Sequence, residues 1–294
     1  MVASPAVVAV LCALGAALLY ATASVLQQHS AAAEPVAQSM RIVLLARLVR
    51  NPLWLLGGVA DVAGFGLQAV ALSRGTLVLV QPLLVVGLLF ALPFGARFNG
   101  SRMGRDAWVS AVAVCAGLAV FQSVADPTAG RDTIASATWV LLLIASGGLA
   151  VLLALAGVRA NGWAKAVLLS AGTGTTYGMA AALIKTVGHE LSSGLAPTLG
   201  HWEPWTLAAV GIAGMLMAQS AFQAGSLDVS LPTMTVVDPV VSILIGSLAF
   251  DERLSASAPA VAAEVVSLIV MAAGVYGLAR ARARRIADIP VTRS

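Results

Sequence analysis

Residues 136–157 read SATWVLLLIASGGLAVLLALAG, an apolar run without one charged side chain. An α-helix rises 1.5 Å per residue, so about 20 such residues cross the hydrocarbon layer of a bilayer. The run is read as a transmembrane helix, and it sets the fold class: an all-α polytopic membrane protein. Working outward from it, eight more stretches qualify, at about 5–28, 52–72, 76–97, 107–124, 163–187, 204–226, 228–250 and 259–280. Nine transmembrane helices are therefore predicted. The connections are short and rich in turn formers, as in Asn51-Pro52, Asp126-Pro127 and Asn161-Gly162. Two further stretches, 36–50 and 188–202, read as helical but too short or too polar to cross, and are expected at the interface.

Composition agrees with this reading. Of 294 residues, 59% are hydrophobic and 10% charged, with a mean hydropathy of +0.93. Soluble domains carry about 25% charge, and a soluble fold could not cover so much apolar surface. The net charge of +4 does not signal nucleic acid. The basic residues sit in short loops and in a C-terminal run, Arg280, Arg282, Arg284 and Arg285, with no basic stripe interleaved with aromatics. Such a cluster at a helix end is a topology anchor facing anionic lipid. Cys12 and Cys115 fall within apolar runs, where they read as small packing residues. The preference for Arg over Lys and the abundant alanine hint at a GC-rich bacterial genome, and hence at the cytoplasmic membrane of a bacterium.

The positive-inside bias orients the chain. With the N-terminus outside, 13 of the 17 Lys and Arg residues lie on the inner side, among them Arg41, Arg47, Arg50, Arg97, Arg102, Arg105, Arg159 and Lys165. The outer side holds Arg74, Arg131, Lys185 and Arg253, and the C-terminus is inside. The first run carries a leader-like Ala21-Thr22-Ala23, but no Lys or Arg precedes it and its pattern returns later in the chain. It is therefore expected to stay as helix one.

That return is an internal repeat. Ala9, Val10, Leu11, Gly15, Tyr20, Ala23 and Leu26 recur 157 positions later as Ala166, Val167, Leu168, Gly172, Tyr177, Ala180 and Leu183. Ala63, Gly64, Ala71, Gly75, Leu77 and Pro82 recur 150 positions later as Ala213, Gly214, Ala221, Gly225, Leu227 and Pro232. Five crossings separate the two starts, so the halves insert upside down relative to each other. The expected organisation is a first repeat at 1–128, a linker helix within 129–160, a second repeat at 161–282 and a basic tail at 283–294. Inverted repeats are the design of secondary transporters, whose substrate site lies near the midplane between the halves.

The segments Gln68-Ala-Val-Ala-Leu, Gly75-Thr-Leu and Gln81-Pro82 resemble the EamA-like repeat of the drug/metabolite transporter superfamily. So do Pro232 through Val237-Asp238-Pro239 and the ending Phe250-Asp251-Glu252-Arg253-Leu254. The resemblance covers essentially the whole chain and implies architecture rather than cargo. Nine spans, the Ala60-Asp61-Val62-Ala63-Gly64-Phe65 segment, and Gln219 with Leu227-Asp228 are similar to the branch of NIPA-type magnesium transporters. The chain departs from that pattern in having Gly64, Ala221 and Ala224 where it carries asparagines.

An ionised Asp at mid-bilayer costs about 2.5–3.5 kcal/mol on insertion scales, which marks such residues for function. Asp61 lies about 15 Å along its helix, with Gly64 and Gln68 on the same face. Asp238 lies equally deep, flanked on its face by Thr235 and Ser242. The two carboxylates, from opposite halves, form the expected binding or proton-coupling site; the bland alternative is hydrogen-bonded glue between helices. Gln68, Gln219 and Gln223, and the repeat-related Tyr20 and Tyr177, join the candidate lining on the same two readings. Pro82, Pro232 and Pro239 either free carbonyls toward a cavity or kink helices for packing. Lys185 is expected to snorkel to the headgroups.

Gly172-Thr-Gly-Thr-Thr imitates a phosphate loop, but it lacks the Gly-Lys-Ser/Thr ending and reads as a small-residue packing surface. His29, His189 and His201 lack metal-ligand spacing, so no metal site and no metalloenzyme is expected. There is no Walker motif and no soluble catalytic domain, so neither enzyme activity nor a cofactor is expected. The expected function is secondary, alternating-access transport of a small metabolite or drug-like solute, driven by protons or by the solute's own gradient. The alternative cargo is Mg²⁺, which needs oxygen ligands such as carboxylates and glutamines. A reading of another class is a non-transporting membrane scaffold for an envelope enzyme. A homodimer is compatible with the sequence.

Overall fold

The structure, a computed structural model, describes residues 5–74, 80, 83–124, 134–191, 194–225, 227–250 and 257–287. Among the described residues the chain is helical, without strands. In order they form α1 (Pro5–Ala32), α2 (Ile42–Leu48), α3 (Pro52–Arg74), α4 (Gly87–Phe98), α5 (Arg105–Val124), α6 (Ser136–Arg159), α7 (Gly162–Leu191), α8 (Leu195–Leu199), α9 (Glu203–Ala224), α10 (Leu227–Ala249) and α11 (Ala258–Ala287). Eight of these are long and apolar enough to cross a membrane. The expected span at 76–97 is described as an apolar helix only over Leu83–Phe98, too short by itself to be counted. The repeat positions Gly75, Leu77, Gln81 and Pro82, the Asp126-Pro127 connection, Arg131, the Asp251–Leu254 ending and residues 288–294 lie outside the described residues.

The outer surface is that of a protein immersed in lipid. Val62, Phe65, Ile144, Leu152 and Leu248 are each about two-thirds exposed or more, for example Val62 at 73% and Leu248 at 78%. In water such a continuous apolar coat would aggregate; in a bilayer it faces acyl chains. Without a hydrophobic drive between helices, association rests on close packing of small residues. Helix α1 accordingly turns Ala9, Ala13, Ala16, Ala17, Ala21 and Ala23 inward, all fully or almost fully buried. It packs on α3 and α4, while α7 packs on α6, α9 and α10, and α5 packs on α11.

The repeat positions meet equivalent surroundings. A Cβ built on Gly64 in α3 would stand 3.0 Å from Tyr20 Cε1 in α1; one built on Gly214 in α9 would stand 2.9 Å from Tyr177 Cε1 in α7. The Gly172–Thr176 stretch is a packing surface. A Cβ on Gly174 would lie 2.7 Å from Val237 Cβ and 2.9 Å from the Asp238 nitrogen, and Gly178 lies as close to Val241. Only glycine lets α10 approach α7 so closely, and that approach fixes the position of Asp238.

The stretches expected at the interface hold a 3₁₀ turn at Val36–Gln38 with α2, and the end of α7 followed by α8. The 34–40 connection is fastened to the end of α9. Gln223 Nε2 donates to the Glu34 and Pro35 carbonyls at 3.1 and 2.8 Å, and the Met40 amide donates to Ser220 Oγ at 2.9 Å. Met40 adopts a φ of 60° there, a left-handed conformation that costs a non-glycine residue about 1–2 kcal/mol. Cys12 and Cys115 are free thiols, with Cys115 buried.

Candidate functional site

A cavity of about 780 Å³ lies among α1, α3, α5, α7, α9 and α10. Its polar lining comes from α1 (Ser24, Gln27), α3 (Asp61, Gln68), α5 (Gln122, Ser123), α7 (Tyr177) and α10 (Thr235, Asp238, Ser242). The rest is apolar wall, including Leu84, Val85, Leu118, Phe222, Leu231 and Met234. Asp61 and Asp238, two deep carboxylates from distant parts of the sequence, thus face one space, and among the described residues no Lys, Arg or His lines it.

Each carboxylate is held by its surroundings. Gln27 Nε2 donates to Asp61 Oδ2 at 2.5 Å. Gln219 Nε2 in turn donates to Gln27 Oε1 at 3.0 Å, and Trp54 Nε1 donates to Gln219 Oε1 at 3.1 Å. This chain of amides runs from buried Trp54 through Gln219, 1% exposed, to the cavity carboxylate. It fixes the amide orientations, because each carbonyl accepts and each NH₂ donates. Asp238 accepts from Ser242 Oγ at 3.3 Å, one turn along α10. Pro239, also in the lining, removes the backbone donor that the Thr235 carbonyl would receive in an unbroken helix. A backbone acceptor is thereby freed on the element that carries Asp238.

The predicted residues divide into three groups. Asp61, Gln68, Tyr177 and Asp238 line the cavity together. Tyr20 lines a small adjoining pocket and donates to Gln68 Oε1 at 2.6 Å, holding that amide in place. Gln219 and Gln223 do not reach the lining, contrary to expectation. Gln219 stands behind Gln27, and Gln223 fastens the 34–40 connection. Their one-turn spacing does put them on one face of α9, but that face meets α1 and its following loop. Gln27 and Gln122 were missed. Gln27 stands seven residues after Tyr20, on the same helix face, and that spacing could have found it. The Gln122 side-chain oxygen is buried with no hydrogen-bond partner, so it presents an unused acceptor in the cavity wall.

Away from the cavity, His201, for which the sequence shows no metal-ligand spacing, has acidic neighbours in space. It meets Glu190 and Glu203, with one ligand atom of each residue within 4.8 Å of the others. Lys185 lies with Nζ 4.8 Å from the ring centroid of Phe250.

No family model and no solved structure matches the chain. It is similar to an uncharacterized protein of Corynebacterium glutamicum, 32% identical over 280 residues, which covers 92% of this chain and 94% of that one. Identity of this extent along nearly the full length of both chains makes them members of one family, and the protein belongs to it.

Proposed function

We propose that the protein is a secondary transporter of the alternating-access type, moving a small cationic or neutral organic solute across a bacterial cytoplasmic membrane. The observation that carries the reading is the cavity shared by Asp61 and Asp238, each from a different half of the chain. The matched Gly64–Tyr20 and Gly214–Tyr177 contacts support two repeats, and the Lys and Arg distribution supports an N-terminus outside and a C-terminus inside. The resemblance to the drug/metabolite transporter superfamily joins this reading. Apolar walls with a few convergent polar groups suit an organic solute. Two carboxylates and no basic group among the described lining residues favour positive or neutral cargo, and either carboxylate can carry a coupled proton.

In this orientation the cavity reaches the outer end of α5 at Gln122 and Ser123. The inner end is shut by polar crosslinks: the Trp54–Gln219–Gln27 chain, and Gln28 Nε2 donating to the Gly225 carbonyl at 3.3 Å. The conformation is outward-facing, and transport requires these inner contacts between α1 and α9 to part.

A second reading, passage of Mg²⁺, draws on the carboxylate and amide oxygens of Asp61, Asp238, Gln68 and Gln122 in one cavity. The test is thermal-shift binding and proteoliposome flux with purified protein, using tetraphenylphosphonium and Mg²⁺ as probes across pH 5–8. A ligand present at 100 times its Kd stabilises the native state by about 2.7 kcal/mol. The organic cation is expected to stabilise the protein more at pH 8 than at pH 5, because protons compete with it for the carboxylates at the lower pH. The effect, and proton-coupled flux, should be lost in Asp238→Asn. Stabilisation by Mg²⁺ that disappears in Asp61→Asn would favour the ion instead. Indifference to both probes and to both substitutions would point to a non-transporting membrane protein.

A further inference from the structure

We propose that Glu190, His201 and Glu203 form a site for a divalent transition-metal ion such as Zn²⁺, clipping the end of α7 to the start of α9. Glu190 lies in the last turn of α7, Glu203 in the first turn of α9 and His201 between α8 and α9, and none of them lines the transport cavity. One ligand atom from each comes within 4.8 Å of the other two. His201 Nδ1 already stands 3.1 Å from Glu190 Oε1. Ligand atoms about 2.0–2.1 Å from a tetrahedral ion are about 3.3 Å apart, so this pair has the spacing of two ligands. The widest separation must close by about 1.5 Å, a movement within reach of glutamate side-chain rotation.

Burial supplies the second, independent observation. Glu203 is 8% exposed, and its Oε2 has no hydrogen-bond partner. Glu190 Oε2 is likewise buried without a partner. A buried carboxylate oxygen left without a partner is costly, and a further donor or a metal ion resolves it. His201 is the one cation-forming group within the cluster, and its side chain is 54% exposed, which leaves a path for an ion from solvent. His201, the one ligand outside the helices, has an anchored neighbour. Trp202, between His201 and Glu203, packs edge-on against Trp139 with centroids 5.6 Å apart. One imidazole and two carboxylates suit Zn²⁺ and its neighbours better than Mg²⁺, and three protein ligands leave a position open to water.

The experiment is calorimetric titration of tag-free, EDTA-treated full-length protein with ZnCl₂, repeated on His201→Ala and Glu203→Gln. One Zn²⁺ per chain is expected to bind, with Mg²⁺ failing to compete. Loss of groups that merely support metal ligands weakens binding about 10–100-fold, so each substitution should weaken it at least about tenfold. Co²⁺ should give a visible absorption band that Zn²⁺ displaces in the wild type and that both variants lack. Glu203→Gln relieves a buried charge, so its melting temperature without metal should not fall, separating ligand loss from misfolding. Absence of saturable Zn²⁺ binding, or wild-type affinity in either variant, would overturn the proposal.

Discussion

Gly64 leaves the place of its side chain to the ring of Tyr20: a methyl group there would stand 3.0 Å from Cε1 and 3.1 Å from Cδ1. Gly214 stands in the same relation to Tyr177, but a methyl group there would also meet Thr176 Oγ1 at 2.7 Å. In a helix interior, alanine is favoured over glycine by about 1 kcal/mol. Relieving an overpacked contact costs about 1–3 kcal/mol. Gly64→Ala, which asks a ring to shift by a few tenths of an ångström, is expected to remain within about 1 kcal/mol of the wild type. Gly214→Ala, which must also displace a buried threonine, should lose about 1–3 kcal/mol. Denaturation of the purified variants in detergent decides this, and equal losses would contradict the difference between the two contacts.

The amide chain makes a sharper prediction at Gln219. Replacing it with leucine leaves both Trp54 Nε1 and Gln27 Oε1 without partners. Each buried orphan costs about 1–3 kcal/mol. Gln219→Leu should therefore be clearly destabilised, and adding Trp54→Phe should restore part of the loss by removing one orphan. The double-mutant cycle reads the coupling directly. Strict additivity would mean that the two side chains do not interact.

The helices were legible because lipid imposes a single demand on the backbone: internal hydrogen bonding over about 20 apolar residues. Asp61 and Asp238 were legible for the converse reason, as charges where charge is costly. Gln27 was not. An apolar-run reading ends helix one at 28, which puts Gln27 at the interface, whereas α1 continues to Ala32 and holds Gln27 against Asp61. Nor can periodicity tell a glutamine that lines a cavity from one that binds carbonyls of a neighbouring loop, as Gln223 does. Sequence spacing likewise hid the His201 cluster. Its two glutamates come from the last turn of one helix and the first of another, and the loop between them sets the geometry.

Orientation yields a prediction independent of cargo. Leu195 in α8 is 65% exposed and lies beyond the end of α7, while Ser101 is exposed between α4 and α5. In a background with Cys12 and Cys115 replaced by alanine, Leu195→Cys should react with a membrane-impermeant maleimide on intact cells. Ser101→Cys should react only after the cells are opened. The reverse pattern would invert the topology, and reaction of both from one side would exclude an odd number of crossings between them.

Gln122 separates stability from function. Its buried, unpartnered oxygen in the cavity wall disfavours the empty protein and awaits a donor from the occupant. Apolar replacement of an unsatisfied group removes its desolvation penalty of about 1–3 kcal/mol. Gln122→Leu is therefore expected to raise the melting temperature of the ligand-free protein. A solute that uses this acceptor should stabilise the variant less than the wild type, so the two thermal shifts move in opposite directions. In Gln68→Leu the order differs: Tyr20 loses the acceptor for its hydroxyl, and the ligand-free protein should become less stable. A fall in stability for Gln122→Leu would mean that its oxygen is already satisfied in the membrane, and would remove it from the binding surface.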